Sequence, residues 1–71
     1  MTPHSDLYFD LRAALTVYCE RDTEIVRACL AHAHDREWSR AGVCAAQITL
    51  GWRALRICED ALALGLDIDH A

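Results

Sequence analysis

Seventy-one residues, 54% of them apolar and 25% charged, are the composition of one small folded domain, residues 1–71, and exclude a disordered segment. A formal net charge of −4, built from seven Arg, no Lys and eleven Asp plus Glu, argues against nucleic acid as the main ligand, because phosphate binding rests on a basic footprint. No apolar run approaches the roughly 18 residues of a membrane span, and the first residues carry neither a basic leader nor an apolar stretch, so no membrane contact and a cytoplasmic setting with reduced thiols are expected. The absence of Lys and Asn beside twelve Ala points to GC-rich codons and a bacterial or phage gene.

One Pro and three Gly in a background of Ala, Leu, Arg and Glu predict an all-α chain. Thr2-Pro3 marks the first start, with Thr2 able to cap and Pro3 suited to the first helical position. From there Leu7, Leu11, Leu15, Tyr18, Ile25 and Cys29 recur at helical spacing, with Cys19, Val26, Leu30 and Ala33 beside them. This predicts a first helix over about 3–33. Asp22 falls within that apolar face, which opens an alternative: a break near Asp22, with Asp22 or Thr23 capping a new helix and a three-helix bundle as the result. If the helix runs through, Asp22 needs a partner, and Arg53 is the first candidate.

A turn is expected over about 34–39, where Asp35 or Ser39 can cap the next helix and His32 and His34 can close the previous one against its negative end. The second helix is predicted over about 40–64. On its wheel Val43, Leu50, Ile57 and Leu64 form one line and Ile48, Leu55 and Leu62 another, about 140° away. Between the lines lie Cys44, Gly51, Cys58 and Gly65, seven residues apart, with Ala54 and Ala61 alongside. Cys44, Gly51 and Cys58 therefore read as a helix-packing groove that admits a close backbone. Gly65 suits the left-handed position after the helix end, with Leu66 folding back, before a short acidic tail over 65–71.

Two long antiparallel helices leave so wide an apolar arc uncovered that the hairpin is expected to dimerise into a four-helix bundle. A chain this short also has little core of its own.

Chemistry is sparsely written. Cys29 and His32 share one helical face but supply only half of a zinc site, so they would serve a metal- or redox-responsive module only with help from elsewhere. Cys19 and Cys29 have nine residues between them and Cys44 and Cys58 thirteen, so antiparallel helices could not form both nested bridges, Cys19 to Cys58 and Cys29 to Cys44, without strain, and four free thiols acting as small apolar groups are expected. Ser5 and Ser39 sit at capping positions with no oxyanion arrangement, and no phosphate loop is present. The expectation is no enzyme and no cofactor.

What remains is surface. Trp52 lies at the rim of the second helix's apolar arc, followed by Arg53 and Arg56, and Trp38 sits in the turn; Trp and Arg are the residue types that most often anchor protein interfaces. Trp38, Trp52, Arg53 and Arg56 are the protein-binding candidates. The expected function is a non-enzymatic protein–protein interaction module: a homodimeric regulator or inhibitor that binds and blocks a larger protein. The rival from another class is an RNA-binding helical-hairpin dimer, which would need Arg12, Arg27, Arg53 and Arg56 on one face.

Overall fold

The computed structural model describes residues 2–18, 23–49 and 51–68, and among them all regular secondary structure is helical, with no strand. Four helices are seen in these residues: α1, Pro3–Tyr18; α2, Thr23–His34; α3, Trp38–Ala46; and α4, Trp52–Ala63. The two long helices expected from the periodicity are each replaced by two shorter ones. The hairpin is corrected accordingly, and so is the three-helix alternative.

The α1 start lies where the sequence placed it. Pro3 is the first helical residue, and Thr2 Oγ1 accepts a hydrogen bond from the Ser5 backbone N–H at 3.2 Å. Leu11 and Leu15 then bury one face of α1, with Leu7 and Tyr8 packed beside them. α1 is described as far as Tyr18 and α2 from Thr23 onward. Asp22 and its pairing with Arg53 fall outside the described residues, as does Cys19.

α2 buries Cys29 and Ala33 and ends in a complete Schellman arrangement. The Glu37 N–H donates to the His32 carbonyl at 2.8 Å and the Arg36 N–H to the Ala33 carbonyl at 3.0 Å, with Arg36 in the left-handed region at φ 62°. That position usually takes glycine. Here it takes an arginine, at a cost of about 1 kcal/mol.

α3 starts at Trp38, so the turn is narrower than expected. Neither Asp35 nor Ser39 provides the cap. The Ser39 N–H donates instead to Asp67 Oδ2 at 3.1 Å, which brings a carboxylate from the far end of the chain to the positive end of α3. The Ile68 N–H donates to the Arg36 carbonyl at 2.8 Å, fastening the same tail to the same turn.

The second break answers the wide apolar arc in a way that periodicity alone does not show. After Ala46 the backbone tightens: Gln47 N–H donates to the Cys44 carbonyl, Ile48 N–H to Ala45 and Gly51 N–H to Ile48, all at i to i−3 spacing. Ile48 turns into the core and Gly51 becomes the residue before α4. Breaking there lets α3 and α4 fold onto each other, so one arc is split over two helices that bury their small residues together: Ala41, Gly42 and Ala45 from α3, and Ala54, Cys58 and Ala61 from α4.

The heptad of small residues is therefore not a line on one helix. Cys44 belongs to α3, Gly51 to the turn, Cys58 to α4, and Gly65 lies beyond it. A side chain at Gly51 would place its Cβ 2.7 Å from the Ala45 carbonyl oxygen and 2.8 Å from the Ile48 Cβ, so what comes close to Gly51 is its own preceding turn. Gly42 is the glycine at the α3–α4 contact, with its Cβ position 3.6 Å from the Cys58 Cβ.

Gly65 fulfils its expectation. At φ 71° it follows α4, its N–H donating to the Leu62 carbonyl and that of Leu66 to the Ala61 carbonyl, both at 3.0 Å, while Leu66 packs on the core. Around the core α1 packs on α2 and α4, and α3 packs on the same two, so the helices close into a ring.

Candidate functional site

Ring closure sets α1 and α4 side by side, and their outer faces leave a groove of about 580 Å³ between them. Asp10, Ala13, Ala14 and Val17 form one wall, and Trp52, Arg53, Arg56 and Ile57 the other. On α1 these residues stand at i, i+3, i+4 and i+7, one stripe on the side away from Leu11 and Leu15. Phe9, Ala13 and Val17 continue it as an i, i+4 row in which Phe9 is 53% and Val17 66% exposed. The outer side of α1 thus carries an apolar row of its own beside Asp10, and only the inner face is used by the core.

On the other wall Trp52 is 63% exposed, with the Arg53 guanidinium carbon 5.1 Å from its ring centroid. That arrangement holds the indole by cation–π attraction. Burying the open part of such a ring, on the order of 100 Å², would gain about 2.5 kcal/mol at the usual 25 cal/mol per Å². Trp52 also borders a second concavity of about 320 Å³, lined by Ala45, Ile48, Gly51 and Leu55, so its ring stands as a ridge between two hollows. Asp10 and Arg56, both exposed and on opposite walls of the main groove, form no ion pair among the described residues.

Three of the four protein-binding candidates therefore share one surface. Trp38 does not: it is 0% exposed and is the largest fully buried side chain of the core. Its Nε1–H donates to His4 Nδ1 at 3.2 Å, and the two rings meet edge to face with centroids 5.6 Å apart. His4 in turn lies near Tyr8, whose ring meets that of His34 at 5.8 Å. The His4 pKa is held below the ordinary histidine value, first by burial and then by the Arg36 and His34 charges, although a backbone hydrogen bond with His34 acts the other way. This cluster anchors the start of α1 to α3 and is structural. Beside it a hollow of about 450 Å³, bordered by Thr2, His4, Arg36 and Asp67, marks where the tail lies against the α2–α3 turn.

The cysteines follow the core. Cys29 and Cys58 are fully buried, and the Cys29 thiol donates to the Ala41 carbonyl at 3.3 Å. A hydrogen bond with the Cys58 thiol, then burial, push the Cys29 pKa far above the usual thiol range; burial raises Cys44 as well. Cys29, Cys44 and Cys58 are free thiols, Cys19 lying outside the described residues. His32 turns to Glu37, with Nδ1 and Oε1 3.0 Å apart, so Cys29 and His32 are engaged with different partners. No group of three or more ligand side chains able to hold a metal occurs among the described residues, and no described helix is long and apolar enough to cross a membrane.

The sequence reading missed the α1 wall: Asp10, Ala13, Ala14 and Val17. Its signal was present in the Phe9–Ala13–Val17 row, which falls opposite the leucines used to define the helix. No family model matches the chain, and comparison with curated proteins and with solved structures returns no match.

Proposed function

We propose that this chain is a non-enzymatic protein-binding module whose working surface is the groove between α1 and α4. A single observation carries this reading: Trp52, Arg53 and Arg56 stand in one open groove facing the unused apolar row of α1, while the core is closed without them. A large exposed aromatic ring flanked by arginines and small apolar residues has the make-up of a binding hot spot. Homodimerisation, and the regulatory or inhibitory binding of a larger bacterial or phage protein, would both use this surface. Of the four arginines the RNA reading needs on one face, Arg53 and Arg56 line the groove, together with Asp10, whereas Arg12 and Arg27 do not.

The test is a photoactivatable cross-linking residue at Ala13, in the groove, with Arg27 on α2 as the control position. Illumination in cells should yield a discrete protein adduct from position 13, reduced about fivefold or more by Trp52→Ala, as expected for loss of an anchor of about 1 kcal/mol or more. No protein adduct at position 13, or one indifferent to Trp52→Ala, would overturn the reading.

A further inference from the structure

We infer that the occupant of the groove is a second copy of this chain, seated about a two-fold axis so that α1 of each copy lies over α4 of the other. This rests on the protein-binding reading above and adds the identity of the partner. What points to it is the division of charge between the two walls. The α1 wall carries Asp10, with Asp6 one turn earlier, and the α4 wall carries Arg53 and Arg56. A two-fold interface is self-complementary: if residue i of one copy meets residue j of the other, then j meets i. Crossing α1 onto α4 sets each acidic wall on a basic wall, twice over, with Asp10 of each copy against Arg56 of the other. A two-fold that set α1 on α1 would instead oppose Asp10 to Asp10, with Arg56 facing Arg56 across the α4 pair.

The apolar parts agree with the same crossing. Phe9 and Val17, exposed on α1, meet the exposed Trp52 ring of the other copy, so the two unused apolar features cover each other. Size permits it as well. The broad side of the molecule measures 34 × 21 Å, enough for the about 600 Å² per partner at the lower end of specific interfaces.

Charge reversal tests this directly by sedimentation velocity. Asp10→Arg sets arginine against Arg56 of the other copy, and Arg56→Asp sets aspartate against Asp10, so each variant alone should dissociate about tenfold or more easily than the wild type. Mixed in equal amounts the two should form a heterodimer of near wild-type strength. One of its two contacts then pairs the introduced arginine with the introduced aspartate, the other pairs native Arg56 with native Asp10, and both are attractive. Asp10 and Arg56 are exposed, and circular dichroism should show both variants folded. Dimers in the mixture but not in either variant alone establish the crossed two-fold. A wild type that stays monomeric to high micromolar concentration, or variants whose mixture gains nothing, overturns it. A position-13 adduct heavier or lighter than twice the chain overturns the second copy while leaving the protein-binding reading in place.

Discussion

Glycine separates two kinds of close contact in this chain. At Gly51 the space for a Cβ is taken by the Ala45 carbonyl oxygen and by Ile48, all within 3.0 Å and mostly backbone, so nothing nearby can yield cheaply. At Gly42 the neighbour is the Cys58 Cβ at an ordinary 3.6 Å, on a helix where alanine is favoured over glycine by about 1 kcal/mol. Thermal melts should therefore move in opposite directions. Gly51→Ala is expected to lose about 2 kcal/mol or more, as overpacking does, while Gly42→Ala should be neutral or gain up to about 1 kcal/mol. Equal losses at both would mean that α3 and α4 pack more tightly than a 3.6 Å approach allows. His4 supplies a second expectation. Its folded pKa lies below the ordinary 6.5, so the unfolded chain binds the proton more readily, and the stabilisation is complete above that value and lost as pH falls toward the folded pKa. Protonation also removes the acceptor that the Trp38 indole N–H uses. Nuclear magnetic resonance titration should give His4 a midpoint below 6.5, and the melting temperature should fall between about pH 7 and 5 more steeply in the wild type than in His4→Asn. A midpoint at or above 6.5 would contradict both the burial and the bond.

At the scale of elements, the signals that were legible are those held within a few residues. Thr2-Pro3 starts a helix and Gly65-Leu66 ends one because capping is local chemistry, and the inner faces of α1 and α2 show as a spacing of Leu11, Leu15, Cys29 and Ala33. The breaks were harder to read. An arc spanning Val43 to Leu62 fits one helix with two apolar sides as well as two helices folded together, and only the tertiary burial of Ile48 decides between them. The cap of α3 was not readable nearby either, since Asp67 arrives from 28 residues away. Arg36 follows the end of α2 in a left-handed position, although an arginine there carries none of the signal that glycine does. Arg36→Gly should accordingly raise stability by about 0.5–1 kcal/mol in denaturant unfolding, relieving φ strain while keeping the carbonyl that accepts from Ile68. Destabilisation would show that the Arg36 side chain, and not only its backbone, holds the tail. The candidate site was half legible for the same reason. Trp52, Arg53 and Arg56 are neighbours in sequence, whereas the α1 wall joins them only through the closure of the ring.

For the whole molecule the decisive feature is an asymmetry between the two tryptophans. Trp38 fills the centre of a core closed by four short helices, and Trp52 stands outside it beside an apolar row that no described part of the chain covers. The fold thus has an inside that is complete and one face whose residues suit an inside. If that face is covered in the assembled protein, Trp52 must lose contact with solvent while Trp38, already buried, reports no change. Iodide quenching of tryptophan fluorescence reads this in the unmodified chain, because the ion reaches only exposed rings. Measured from dilute to concentrated protein at fixed salt, the quenching constant should fall several-fold along the same concentration axis on which sedimentation shows dimers forming. An unchanged constant on samples that sediment as dimers would contradict the α1–α4 groove as the binding surface, because Trp52 would then remain open to solvent in the assembled state.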